Sequence, residues 1–126
     1  MKIFDKITMI HLLVRDMDKA KEFYTDVLGF EASGDTTYGG DRWVFVAPPG
    51  GGTIIGLGTR FDELKPGFIV KMFLSTTDVE TAYKEIKAKG FKPNGEIKPY
   101  PPGGRYFSVN DPDGNFLFIV QPQSAR

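Results

Sequence analysis

Hydrophobic and polar positions along this chain change their spacing in a fixed order. Residues 7–14, ITMIHLLV, are a continuous β-rich run and predict a strand. Asp16 or Asp18 can cap the segment that follows. Met17, Ala20, Phe23, Tyr24, Val27 and Leu28 then recur at helical spacing, and Gly29 stands where a helix ends. Short strands are predicted around residues 30–33, 42–47 and 53–58, with Pro48-Pro49-Gly50-Gly51-Gly52 as the turn between the last two. Residues 59–67, TRFDELKPG, read as a linker whose Asp62-Glu63 is a solvated pair or a carboxylate source for a site. The pattern then restarts. Residues 69–76, IVKMFLST, predict a strand, and Thr77-Asp78-Val79-Glu80 has the form of a capping box. Val79, Ala82, Tyr83 and Ile86 form a second helical stripe, stopped by Gly90. Strands are predicted at 91–92, 105–110 and 116–121, with a tight turn at Asp111-Pro112-Asp113-Gly114-Asn115.

The restart is an internal repeat. A shift of 62 carries Asp16 onto Asp78 and Ala20 onto Ala82. A shift of 61 carries Gly29-Phe30 onto Gly90-Phe91, and one of 63 carries Arg42 onto Arg105, Val46 onto Val109, Pro49 onto Pro112 and Gly51 onto Gly114. Each half therefore reads β-α-β-β-β. One such unit leaves a sheet face uncovered, and a second is expected to shield it from water. The prediction is an α+β fold: residues 1–126 as a single domain made of two repeats, about 1–60 and 68–126. A chain of 126 residues buries about two thirds of its unfolded surface, so it needs neither disulfide nor metal to fold.

Composition removes whole classes of chemistry. Sixteen Lys+Arg balance sixteen Asp+Glu, and no basic run gives the footprint of a nucleic-acid binder or an anionic-membrane binder. No apolar run is long enough to span a bilayer, and the first residues lack the pattern of a signal peptide. Cysteine is absent, which excludes thiol nucleophiles and thiolate metal sites and fits a cytoplasmic location. His11 is the sole histidine, so a two-histidine iron site, a three-histidine zinc site and HExxH are impossible within one chain. A Ser-His-Asp triad would need His11 itself, and no GxSxG elbow is present.

Taken in order, Val14-Arg15-Asp16-Met17, Glu22-Phe23-Tyr24, Val27-Leu28-Gly29-Phe30, Lys89-Gly90-Phe91 and the turn at 111–115 make a set that resembles the vicinal oxygen chelate superfamily. That group includes glyoxalase I, bleomycin-resistance proteins, fosfomycin-resistance transferases, methylmalonyl-CoA epimerases and extradiol dioxygenases. The resemblance covers nearly the whole chain. It implies curved mixed sheets that form an open, barrel-like cleft with helices outside, and a homodimer. In metal-dependent members each half supplies two ligands, and the resemblance puts those four positions on Met9, Gly56, Lys71 and Phe118. A thioether, a glycine, an ammonium and a phenyl ring do not hold a hard or borderline cation. The flanking Ile55, Leu57, Leu117 and Ile119 offer no substitute. No metal and no cofactor is expected.

Strand alternation then selects the candidate binding residues. If Ile10, Leu12 and Val14, and likewise Met72, Leu74 and Thr76, pack on the helices, then Met9, His11 and Leu13 share the other face with Lys71, Phe73 and Ser75. His11 reads as a general base, a ligand partner or a satisfied core histidine. Lys71 reads as an anion or imine site, or as a lysine reaching to water. Trp43, Phe73 and Phe118 serve as stacking surfaces or as core. Residues 98–105 read as a loop that closes over a ligand with Tyr100 and Arg105, or as a stiff surface connection. The leading expectation is a glyoxalase/bleomycin-resistance-like protein that binds a small organic molecule without a metal. A glyoxalase-like lyase or isomerase, a metal-free catalyst using His11 and Lys71, and a ligand-free interaction domain are the alternatives, and no catalytic residue is assigned.

Overall fold

In the computed structural model, residue 3, residues 6–59 and residues 69–123 are described. The chain forms two compact units, Met1–Phe68 and Ile69–Arg126. The linker reading at 59–67, with Asp62 and Glu63, lies from residue 60 onward outside the described residues.

The first unit runs β1 (Met9–Leu13), α1 (Met17–Glu22), a π-helical turn (Phe23–Val27), β2 (Glu31–Tyr38), β3 (Asp41–Ala47) and β4 (Ile54–Gly58). Its sheet order is β1-β4-β3-β2, with β1 parallel to β4 and the other pairs antiparallel. Asp16 is the cap of α1, accepting from the Lys19 backbone N–H at 3.1 Å, while Asp18 pairs with Arg42. The single helix expected through Leu28 instead widens after Glu22. The Leu28 N–H reaches back five residues to the Phe23 carbonyl, and Phe23 and Tyr24 are fully buried.

Alternation carries the core. Leu12, Val14, Val44, Val46, Ile55 and Leu57 are buried together with Met17 and Ala20 of α1. One position departs from the expectation: Ile10, expected against the helix, is 42% exposed near the start of an edge strand. Leu13 is in register with Gly58 on the expected face, and it is buried there.

The second unit repeats the arrangement: β5 (Lys71–Ser75), α2 (Val79–Ala88), β6 (Lys98–Pro99), β7 (Gly104–Asn110) and β8 (Phe116–Pro122), in the sheet order β5-β8-β7-β6. Again the first strand is parallel to the last and the remaining pairs are antiparallel. Val79 and Ile86 of α2 are buried, and the Tyr83 ring meets Phe107 edge-on at 5.1 Å.

Two expectations in this unit are corrected. The cap of α2 is Asp78 rather than Thr77: its carboxylate accepts from the Thr81 backbone N–H at 3.0 Å, so the helix begins one residue later than a Thr77 capping box requires. No strand forms at 91–92. There the Phe91 N–H closes the end of α2 on the Ile86 carbonyl, and Pro93 has no N–H to offer a ladder. The fourth strand is β6 instead, at the start of the segment read as a loop.

The turn at 111–115 is a closed device. Asp111 Oδ1 accepts from the backbone N–H groups of Asp113 (2.9 Å) and Asn115 (2.8 Å), and its Oδ2 accepts from the Asn115 side chain at 2.8 Å. The Asn115 side-chain oxygen accepts from the Val70 N–H at 2.8 Å, which ties the entry of β5 to the turn before β8. The α+β class and the β-α-β-β-β order of both halves are thus borne out. No helix among the described residues is long and apolar enough to cross a membrane.

Candidate functional site

Each sheet has one face on its helix and one face turned away. In the first unit the outward face carries Met9 and His11 from β1, Trp43 from β3, and Gly56 and Gly58 from β4. Register brings them together: His11 is opposite Gly56, and Phe45 is opposite Gly56 from the other side. The His11 and Trp43 rings lie 5.1 Å apart with their planes 46° from parallel. The His11 Nε2 is 3.0 Å from the Met9 sulfur. Both rings lie close over the glycine strand. A Cβ added at Gly58 would come within 2.8 Å of the Trp43 ring, and one at Gly56 within 2.9 Å of the His11 ring.

In the second unit the outward face carries Lys71 and Phe73 from β5, Phe116 and Phe118 from β8, and Tyr106 from β7. Phe73 stacks on Phe118 with centroids 5.0 Å apart and planes 17° from parallel. Phe118 also neighbours Phe116 at 6.4 Å and Tyr106 at 6.1 Å, and Tyr106 meets Tyr100 edge-on at 5.7 Å. The Lys71 ammonium lies 5.9 Å from the Phe118 ring centroid, within cation–π range. Phe73 remains 60% exposed. A large exposed aromatic that carries a stack is the uncommon observation here, since single exposed aliphatics need no explanation.

The structure gathers Met9, His11 and Trp43 in one unit and Lys71, Phe73, Phe118 and Tyr100 in the other. Arg105 does not join them. It lies on the helix side of β7, where its guanidinium donates to Glu80 of α2 at 3.2 Å. Strand alternation explains this, because Arg105 shares its face with the buried Phe107 and Val109. Tyr106, one residue on, occupies the outward position instead. Its signal is in the sequence, as the residue out of phase with Phe107 in the strand predicted at 105–110. The segment 98–105 is a hairpin: the Tyr100 N–H donates to the Gly104 carbonyl at 2.9 Å, and the Gly103 N–H to the Tyr100 carbonyl at 2.8 Å. Gly104 has φ +103°, and a Cβ there would run into the Gln121 carbonyl.

Charge is concentrated elsewhere in the first unit. Arg42 donates twice to Asp35, at 2.8 and 2.7 Å, and once to Asp18 at 2.7 Å, while Lys21 donates to Asp35 at 2.9 Å. The Arg42 hydrogen bonds, and then those of Lys21, hold the Asp35 carboxyl below the ordinary carboxylate range. Asp78 is lowered as well, chiefly by the Thr81 N–H and hydroxyl.

The residues that the resemblance puts at metal positions do not fit a metal. Met9 offers a thioether, Gly56 no side chain, Lys71 a cation and Phe118 a ring. No group of three or more His, Cys, Asp or Glu that could hold an ion occurs among the described residues.

Comparison with known proteins places this architecture. The solved structure of TnmS3, an antibiotic binding protein from Streptomyces sp. CB03234, is 31% identical, with a TM-score of 0.89 over 98% of this chain and 100% of that one. A member of the glyoxalase/bleomycin resistance protein/dioxygenase superfamily from Sphaerobacter thermophilus DSM 20745 is 33% identical, with a TM-score of 0.84 over 95% and 99% of the two chains. YurT, an uncharacterized protein of Bacillus subtilis (strain 168), is 30% identical over 127 residues, covering 92% of this chain and 98% of its own. The family model matches residues 6–118, and the chain belongs to the Glyoxalase/Bleomycin resistance protein/Dioxygenase superfamily.

Proposed function

We propose that this chain is a cytoplasmic, metal-independent binding protein that sequesters a mostly apolar, aromatic small molecule bearing one anionic or carbonyl group. The outward faces of its sheets are the contact surfaces. The observation that carries the reading is the second unit's aromatic stack, with Phe73 exposed and Lys71 placed over Phe118. Flat rings with the Lys71 cation beside them suit a flat, apolar ligand with one negative or electron-rich group. His11 and Trp43 add two rings in the first unit, tilted 46° to one another. TnmS3, similar over nearly the whole chain, binds an antibiotic, which supports sequestration over turnover. The superfamily's isomerase chemistry uses a metal to polarise a carbonyl and a carboxylate to move a proton. Neither group stands at the matching positions. The resemblance to paired members extends the proposal to a homodimer acting as one domain of two repeats per chain.

Native mass spectrometry of freshly purified protein reads retained ligand, metal content and subunit number together. Titration with anthracene carboxylate then tests the ligand class. Lys71→Met keeps the stem and removes the charge. It is expected to weaken this anion by about 1–3 kcal/mol, the size of a charge-assisted hydrogen bond, without changing the melting temperature. Equal binding by parent and variant removes Lys71 from the site and favours an interaction domain with no ligand.

A further inference from the structure

The rings on the outward face of the second unit are of two kinds. Phe73, Phe116 and Phe118 are bare hydrocarbon, and their planes lie within 17° and 22° of parallel. Tyr106 and Tyr100 continue the ring contacts from Phe118, and each adds a hydroxyl. Phenylalanine would make the same ring contacts, so the hydroxyls ask for a role of their own. The Tyr83 hydroxyl has one within the fold, donating to the Gly95 carbonyl at 3.1 Å. Those of Tyr100 and Tyr106 have no hydrogen-bond partner among the described residues. Both residues are half-buried, yet no side-chain polar atom among the described residues is at once buried and unpaired. The two hydroxyls therefore reach the open side of the face.

Their placement is set without a ligand. Pro99 and Pro101 flank Tyr100 and restrict the backbone on both sides of it, and its N–H and carbonyl both close the hairpin. Tyr106 stands opposite Val120 of β8, while Lys71 stands opposite Phe116 of the same strand. Phe118 is midway between these registers, 5.9 Å from the Lys71 ammonium and 6.1 Å from the Tyr106 ring. Lys71 has no carboxylate partner among the described residues. The face thus carries a cation at one corner, hydrocarbon rings across the middle and two hydroxyls at the opposite corner.

We infer that Tyr100 and Tyr106 are specificity-determining residues that select a two-ended ligand, with a phenol or carbonyl oxygen at the end of its ring system opposite the anion. A phenolic hydroxyl can donate to either oxygen. This inference rests on the ligand reading above and deepens it, adding a second polar group and naming the residues that read it.

The test uses the full chain and calorimetry with 2-naphthoate and 6-hydroxy-2-naphthoate, which differ by one hydroxyl at the end opposite the carboxylate. The ratio of the two affinities is the readout. The parent is expected to prefer the hydroxylated anion about two- to tenfold, the worth of one net hydrogen bond. The double variant Tyr100→Phe/Tyr106→Phe keeps both rings and is expected to lose that preference, with the melting temperature of the parent because its hydroxyls hold nothing in the fold. Lys71→Met is expected to weaken both anions and to keep the ratio. Tyr83→Phe removes the hydroxyl that the fold uses, and is expected to lower the melting temperature and to keep the ratio. A parent that binds both anions equally, or a preference that survives in the double variant, overturns the inference and leaves the ligand reading standing. A parent that binds neither anion overturns both.

Discussion

In the first sheet, Leu12, Val44, Val46, Ile55 and Leu57 lie on the helix side. In the second, Leu74, Phe107, Val109, Leu117 and Ile119 occupy the matching registers. Every pair is apolar, and only Val44 against Phe107 differs much in size. The outward positions in the same registers share almost nothing: Met9 matches Lys71, His11 matches Phe73, Gly56 matches Phe118, and Trp43 matches Tyr106. The bulk has also changed place. In the first sheet the central strand is bare and the flanking strands lay rings across it. In the second, the central strand carries the rings itself. A face that must bury a helix is limited to apolar side chains of fitting volume. A face free of that demand can differ, and the two outward faces do: one has rings leaning over glycines, the other a charged aromatic stack.

The sharpest test of this division is to truncate both faces. Leu57→Ala and Leu117→Ala, each at a fully buried helix-side position, are expected to lose about 2–5 kcal/mol in denaturant unfolding. Phe73→Ala is expected to lose about 1 kcal/mol or less, because its ring is mostly exposed and only its stack on Phe118 is removed. A Phe73→Ala loss equal to that of Leu117→Ala means that the outward ring is core, and the division fails.

The turns before the last strands give the next largest contrast. Ile54 and Phe116 make the same entry bond, to the carbonyls of Thr8 at 3.0 Å and of Val70 at 2.9 Å. Only the second unit adds the buried Asp111–Asn115 clamp. Asp111→Ala leaves buried donors without an acceptor and is expected to destabilise by about 1–3 kcal/mol. Thermal unfolding of the variant checks it, and an unchanged midpoint means that the clamp adds nothing to the entry bond.

Much of this was legible in the sequence, and the misses have physical causes. The repeat, both helices and seven of the eight strands could be read because spacing and turn residues agreed. The strand expected at 91–92 failed because Phe91 looks like strand material but is held by the end of α2. Arg105 does not join the rings because it opens the strand predicted at 105–110 in phase with Phe107 and Val109, and alternation along that strand puts it on the helix side. That Met9, His11, Lys71 and Phe73 share a face away from the helices could be read from alternation, whereas Phe118 came from the family resemblance and Trp43 from its being a ring that can stack. The closeness of the His11 and Trp43 rings to β4 could not be read, since nothing in a sequence says which way a ring leans across a glycine.

A smaller effect separates the units by charge. In the folded chain the Asp35 carboxyl is held below its ordinary range by Arg42 and then Lys21. Its contribution to stability is therefore present above the unfolded value of roughly 3.9 and is lost as pH falls below it toward the folded value. These groups are near the surface, so the effect is small and weakened by salt. The stability difference between the parent and Asp35→Asn is expected to shrink as pH is lowered from about 6 to about 3, and to be smaller throughout in high salt. A difference that stays constant with pH assigns the role of Asp35 to shape rather than charge.

The smallest expected effect is none at all, and it bears on both outward faces at once. The family resemblance puts Met9 and Gly56 at metal positions in the first unit, and Lys71 and Phe118 at those in the second. If divergence of these faces has replaced metal ligation with ring contacts, stability does not depend on a cation. A metalloprotein gains folding energy from its metal and loses it to a chelator. The melting temperature is therefore expected to be the same with and without excess chelator, and nickel or zinc is expected to leave it unchanged. Under the same conditions no glutathione-dependent isomerisation of a 2-oxoaldehyde adduct is expected, because no carboxylate stands at the matching position to carry the proton. One tightly held metal per chain, removed by chelator together with stability, means that ligands lie elsewhere than at these four positions. Isomerase turnover that rises with added metal and with protein concentration carries the same meaning. Either result removes the premise that ring contacts have replaced metal ligation on these faces.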